Sequence, residues 1–452
     1  MMSGSCLVIG ILFLLVATCL SQYCSERSTE CCPGRDDECS IEYRGTKCYC
    51  DTFCNHTAID CCPDFWNLCL GVEPPSFDEC YHNGVGYRAG AAIYINCNKC
   101  TCQRGVNGDS AFNCENKACT VRPSLIQAIN HGGFGWRAAN YTTFWGMKLT
   151  DAVKHKLGTL KVERDVHTMT EIDIKMKKKI PKSFDARDKW GSMITGILDQ
   201  GNCASSWAFS TVGVASDRLA IQSSGETGMT LSPQHLLSCN TRGQRGCSGG
   251  HIDRAWWFMR KRGVVSNDCY PYTSGDQDKK GVCMMPGKLP SDCPTGRERN
   301  NELHHSTPPY RIAANEREIQ VEIMENGPVQ ASFEVKEDFF MYGSGVYRHT
   351  PIASNDAEQY HASEWHSVKL LGWGVENGIK YWLGANSWGT KWGEDGYFKI
   401  LRGENECNIE SYVVAVWGKV DTSNKPNHRV TKRTANTRKR RSELNLFQWL
   451  FS

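Results

Sequence analysis

Cysteine is the residue type that most constrains the chemistry of this 452-residue chain, which carries 25 of them. Thiols in that number can pair as disulfides or bind a soft metal, and they would be a liability in a reducing cytosol. Two (Cys6 and Cys19) lie in an N-terminal apolar stretch, 16 lie between Cys24 and Cys119, and seven lie between Cys203 and Cys407. Close spacings such as Cys48-x-Cys50 and Cys61-Cys62 could hold zinc. In an oxidising compartment disulfides are the expected state instead. Neither a metal nor a cofactor is expected.

The elements that must position these thiols follow from composition. The length suggests two to four units, and 40% hydrophobic residues suit a globular core. A net charge of +3 gives no argument for a nucleic-acid partner. Residues 7–17 (LVIGILFLLVA) are too short to span a bilayer comfortably and suit a signal peptide over residues 1–22, cut near Ser21 or Gln22. Nothing else looks transmembrane, so a secreted chain is expected. Residues 23–70 hold ten cysteines and cannot bury much apolar surface, so cross-links must stand in for a core. Residues 71–120 form a second cysteine-rich module with six, Cys97-x-x-Cys100-x-Cys102 at its centre. Residues 121–179 lack cysteine and end in the basic run KMKKKIPK. They read either as a linker or as a functional segment. Residues 180–420 have the size of one large domain, and residues 421–452 form a basic tail expected to be disordered.

The pattern Cys48-x-Cys50, Cys54, Cys61-Cys62, Cys69 resembles the somatomedin B module, and the second module resembles a von Willebrand factor C-type or EGF-like knot. The stretch GWRAANYTTF (135–144) resembles part of a cathepsin B-like propeptide, which in that family runs backwards through the substrate cleft, so residues 121–179 are expected to be a propeptide-like segment. Residues 180–418 resemble the papain superfamily, cathepsin B branch, through several separated motifs: QGNCASSWAFS (200–210), CSGG (247–250), ENGPV (325–329), His366 within WHSVKLLGWG, and Asn386-Ser387-Trp388. The resemblance implies an α+β fold: a two-lobed papain-like domain preceded by small disulfide-rich modules. It implies disulfides Cys203–Cys247, Cys239–Cys283 and Cys269–Cys293, with Cys407 left unpaired. Gly249, Gly250 and Trp388 would line the substrate groove.

By the same resemblance Gln200 stands at the oxyanion position, His366 at the base and Asn386 at its orienter, while Ser206 replaces the nucleophilic cysteine. A thiol at a helix start can be held as a thiolate beside an imidazolium. A serine hydroxyl is far more basic and must give its proton to a neutral histidine at hydrogen-bond distance. Geometry suited to the first mechanism is not suited to the second. Taken singly, Gln200, His366 and Asn386 could each be an ordinary packed or surface residue. Ala204 replaces the family's usual glycine, and only 13 residues separate Cys269 from Cys283, too few for the histidine-bearing loop of cathepsin B. His304-His305 lies elsewhere and lacks the i, i+4 spacing of a helical metal site.

As a whole the chain resembles the tubulointerstitial nephritis antigen family. This implies a secreted, matrix-associated glycoprotein with a non-catalytic cathepsin-like domain. Asn55 and Asn140 head glycosylation sequons. Matrix proteins or cell-surface receptors would bind through the cysteine-rich modules, and anionic glycans through Arg438–Arg441. The alternative is a papain-family peptidase with weak or serine-based activity.

Overall fold

The computed structural model describes residues 24–416 and 431–432, apart from 29, 44–45, 55–59, 73–78, 105–109, 162–168, 174–178, 277, 286–292, 295–301, 355–357 and 361–362. The signal-like run, Asn55 and nearly all of the basic tail therefore lie outside the described residues. Two compact units span residues 1–117 and 118–452. Among the described residues no helix is long and apolar enough to cross a membrane.

The first unit is built on cross-links. A hairpin of Ser40–Tyr43 and Thr46–Tyr49 is surrounded by the disulfides Cys24–Cys50, Cys31–Cys69, Cys32–Cys39, Cys48–Cys62 and Cys54–Cys61. Its interior is cysteine sulfur around one large side chain, Phe65. The sulfurs of Cys24, Cys50 and Cys62 lie within 4.8 Å of one another, but all three belong to disulfides and offer no thiolate to a metal. The second module is a strand pair, Glu79–His82 with Val85–Arg88, and a three-stranded sheet of Ala92–Ile95, Asn98–Arg104 and Ser110–Cys114, held by Cys80–Cys102 and Cys100–Cys114.

The second unit has a two-lobed core. Helices α1 (Pro123–Gly132) and α2 (Leu149–Lys156) flank strand β1 (Trp136–Ala138), and β2 (Thr170–Asp173) follows. Next come α3 (Ser206–Gln222), α4 (Pro233–Cys239), α5 (Ile252–Lys261), β3 (Tyr310–Ile312) and α6 (Glu316–Asn326). The chain then alternates through β4 (Val329–Val335), β5 (Tyr342–Tyr347), β6 (Glu364–Glu376), β7 (Ile379–Ala385), β8 (Tyr397–Leu401) and β9 (Val413–Ala415). Their spatial order is β2-β3-β9-β4-β6-β7-β8-β5-β1, with residues 431–432 of the tail pairing outside β2.

Helix α3 is buried on nearly every face, which marks it as a central rather than an amphipathic surface helix. Trp207 and Val212 pack with Leu236, Trp256 and Met259 to make the helical lobe. Phe333, Phe339, Trp382, Trp392 and Phe398 make the core of the β lobe. Two charged side chains of α3 tie the lobes together. Asp217 pairs with Lys369 of β6 at 2.7 Å, and Arg218 pairs with Glu322 of α6 at 2.9 Å. These pairs are fully desolvated, so each holds only because its partner and further hydrogen bonds are in place.

Residues 121–179, read from sequence as a separate segment, belong to this second unit. At one end β1 adds antiparallel to β5, and at the other β2 adds parallel to β3.

Candidate active site

The cleft between the lobes is lined on one side by the start of α3 and on the other by β6 and the loop after β7. The disulfide Cys203–Cys247 fixes the approach to α3 against the turn containing Gly249 and Gly250, and Ala204 N–H donates to Cys247 O at 3.0 Å. Helix α3 then begins at Ser206, whose side chain is completely buried. The other disulfides of this unit are Cys239–Cys283 and Cys269–Cys293, and Cys407 is the free cysteine among the described residues.

On the β wall, His366 lies in β6 and Asn386 just past β7. His366 Nε2 and Asn386 Oδ1 are 2.8 Å apart. An amide oxygen can only accept, so Nε2 carries the proton and Nδ1 is the bare, basic nitrogen. Nδ1 is buried without a hydrogen-bond partner. Trp388 covers the ring with centroids 5.1 Å apart and stacks on Phe340. Burial pushes the His366 imidazole down to about 4, with Asn386 opposing the shift, so it is neutral at physiological pH. This half can orient a general base.

The helical wall is arranged differently. Residues 156–161 run through the cleft and are hydrogen-bonded into it. Gly250 N–H donates to Gly158 O at 2.9 Å, Leu160 N–H to Gly250 O at 2.9 Å, and Thr159 N–H to Trp365 O at 3.0 Å. Gly158 sits at φ +110°, and a Cβ there would lie 2.1 Å from Ala204 O, so only glycine fits. At Gly250 a Cβ would meet the Trp207 ring at 2.6 Å, which keeps that groove backbone bare.

Gln200 is buried, and its side-chain N–H₂ donates to Lys156 O at 3.1 Å and Cys203 O at 2.9 Å, with Leu157 O at 3.5 Å. Its Oε1 accepts from Ser387 Oγ at 2.6 Å. Both amide protons that an oxyanion would need are thus engaged by carbonyls. Trp388 Nε1 donates to the same Lys156 carbonyl at 2.8 Å. The Lys156 amine is itself buried and donates to Gly201 O at 2.8 Å. Burial lowers its pKa, against an opposing attraction from Asp199.

Ser206 Oγ lies 3.0 Å from Thr159 Oγ1 and 3.4 Å from the Ser367 N–H, and it forms no hydrogen bond with His366. The nucleophile position and the base are therefore near neighbours that are not coupled, and serine chemistry requires that coupling. The other singled-out residues are placed as follows. Asn140 is exposed, just past β1. His304 is buried and pairs through its backbone with Val264, while His305 Nδ1 lies 3.3 Å from Arg260 O.

Sequence motifs brought Gln200, His366, Asn386, Trp388 and the two glycines to the site. They missed Thr159, Ser367, Gly158 and Lys156. The signal was present only as a glycine inside KLGTL and a hydroxyl directly after His366, and neither pattern is distinctive without a fold.

Residues 180–417 match the family model described as papain family cysteine protease. The chain is 47% identical over 427 residues to tubulointerstitial nephritis antigen-like of Mus musculus, covering 90% of this chain and 91% of that one. It is 43% identical over 429 residues to tubulointerstitial nephritis antigen of Homo sapiens, covering 90% and 89%. Among solved structures, procathepsin B S9 from Trypanosoma congolense is similar with a TM-score of 0.59 and 30% identity, covering 67% of this chain and 100% of that one. Family model, relatives and fold agree: the chain belongs to the papain family of cysteine proteases, as a cathepsin B-like member of the tubulointerstitial nephritis antigen group.

Proposed function

We propose that the protein is a secreted, matrix-associated glycoprotein whose cathepsin B-like domain binds rather than cuts. The observation that carries this reading is the Ser206 hydroxyl, which is bonded to Thr159 while His366 Nδ1 has no partner. A hydroxyl not bonded to its base has no route to an alkoxide at neutral pH. The engaged Gln200 amide supports the same conclusion, since it leaves the oxyanion position without a free side-chain donor.

The dense disulfides of the first unit and the N-terminal apolar run support passage through an oxidising secretory route. The first cysteine-rich module acts as a somatomedin B-like contact module for matrix proteins or cell-surface receptors. Its sulfur-filled interior leaves Phe53, Leu68 and Val72 on the outside, where apolar side chains suit protein contacts. Asn140 is glycosylated, and the basic tail attracts anionic glycans.

Turnover of fluorogenic peptides by the full chain from a eukaryotic secretory host tests the reading. No turnover above that of a Ser206→Ala variant is expected, and no labelling of Ser206 by serine-directed probes. Turnover abolished by Ser206→Ala would establish serine-based hydrolysis instead.

A further inference from the structure

Four hydroxyls meet where the helical wall touches the inserted segment, and each has one proton to give. Ser210 Oγ donates to the backbone carbonyl of Ser206 at 2.6 Å, one helical turn back. Its lone pairs then accept from Ser367 Oγ at 2.8 Å and from Gln330 Nε2 at 2.6 Å. With its proton given to Ser210, Ser367 accepts from Thr159 Oγ1 at 2.8 Å. Thr159 in turn accepts from Ser206 Oγ at 3.0 Å. The protons run one way, from Ser206 to Thr159, Ser367, Ser210 and back to the Ser206 carbonyl. All four side chains are buried, with Thr159 only 3% exposed. In such a closed circuit each bond polarises the next, and a missing member leaves its buried neighbours one bond short.

We propose that the pocket at Ser206 is a binding site that reads a hydroxyl: it takes an extended peptide with glycine followed by threonine or serine. The inference rests on the reading that Ser206 is not a nucleophile. In the structure the pocket is filled by the chain's own Gly158-Thr159, and the same motif from another polypeptide takes this place when that segment is displaced.

Three observations define the ligand. The glycine is required because a Cβ at position 158 would lie 2.1 Å from Ala204 O and 2.7 Å from the Ala204 methyl. The hydroxyl is required because only it closes the circuit between Ser206 and Ser367. The residue after it packs over bare glycine backbone, Leu160 Cδ2 lying 3.2 Å from where a Cβ on Gly249 would stand. The backbone bonds from Thr159 N–H, Leu160 N–H and Gly250 N–H supply affinity without regard to sequence. The hydroxyl circuit supplies the discrimination, because a site built to hydrogen-bond a hydroxyl rejects the analogue that lacks it.

Fluorescence anisotropy on the full chain carrying Gly158→Ala, which frees the cleft of its own segment, tests this with labelled nonapeptides of sequence KHKLGTLKV. Peptides with threonine or serine at the sixth position are expected to bind within a few-fold of each other. A valine peptide is expected to bind about tenfold more weakly or worse. Adding Ser206→Ala to the protein should shrink that gap. Equal binding of the threonine and valine peptides, or no binding of any of them, overturns the proposal.

Hydrogen exchange of the Leu160 amide in the otherwise unaltered chain reads the same circuit without opening the cleft. Thr159→Val should speed exchange about tenfold while Thr159→Ser leaves it near the native rate. Equal rates in the two variants also overturn the proposal. Mass spectrometry of the recovered peptides separates the two ideas. Ser206-dependent cleavage would refute the non-hydrolytic reading, whereas the threonine-to-valine ratio judges the pocket.

Discussion

The two walls of the cleft are in opposite states. On the β wall the parts of a hydrolytic site are in working order: His366 is held through Nε2 by Asn386, covered by Trp388, and neutral. Opposite it, every group that would act on a substrate is occupied by the chain itself. Gln200 donates to Lys156 and Cys203 carbonyls, and the Ser206 hydroxyl belongs to a circuit through Thr159. One substitution explains how both can stand. A serine can donate to Thr159 and complete a neutral network of hydroxyls, with no charge to be stabilised by the base. The geometry of the base is set by its own strand and loop, so changing the nucleophile does not disturb it.

Separating the walls tests how far they depend on each other. The largest effect is expected for Lys369→Met, which removes the cation on β6 and leaves Asp217 of α3 buried and unpaired. Breaking such a pair costs about 3–5 kcal/mol, read as a shift in the urea denaturation midpoint of the full chain. A loss below about 1 kcal/mol, the size of an exposed pair, would mean that this pair does not hold the lobes together.

Acid should weaken both lobes, each titrating group by a smaller amount than that pair. His366 of the β wall and His235 of α4 are each pushed by burial down to about 4. A histidine whose folded value lies below its unfolded value of about 6.5 binds its proton more readily when unfolded. Stability therefore falls as pH drops from about 6.5 towards 4, by on the order of 3 kcal/mol for each histidine. Thermal denaturation between pH 7 and pH 4 should show the loss, with about half of it removed in a His366→Gln variant. An unchanged pH dependence in that variant would place the effect elsewhere.

The smallest effect is expected for Ser206→Cys in the intact chain. The new thiol would be buried beneath residues 156–161, so neither peptide turnover nor alkylation at position 206 should appear. Combined with Gly158→Ala, the thiol should become open to alkylation while the β wall stays as it was. Alkylation of the single variant at the rate of the double one would show that the segment does not close the cleft.

The β wall was legible in the sequence because its residues sit in motifs whose spacing is dictated by consecutive strands. His366 and Asn386 are joined by a hairpin, and both lie beside recognisable Gly- and Trp-rich flanks. The helical wall was only half legible. Gln200, Cys203 and Ser206 are local to one helix start, but Thr159 reaches Ser206 across 47 positions and Ser367 across 208. A hydroxyl that bonds so far away leaves no periodicity and no local pattern. Likewise nothing in TEID or WRA announces a strand, since each acquires that form by adding to a distant edge, Tyr310–Ile312 or Tyr342–Gly345. The cross-links of the first unit were legible in number but not in partner, because cysteine spacing alone does not fix connectivity.

Those two edges give residues 121–179 a role that does not depend on the cleft. Strands Trp136–Ala138 and Thr170–Asp173 each cover one margin of the large sheet. Unpaired strand margins are templates for joining to other chains. A papain-like domain started at Ile180 would uncover Tyr310–Ile312 and Tyr342–Tyr347 together, presenting two open seams to any neighbour. In this molecule residues 121–179 act as a hem, keeping the fabric of the sheet from fraying into aggregates.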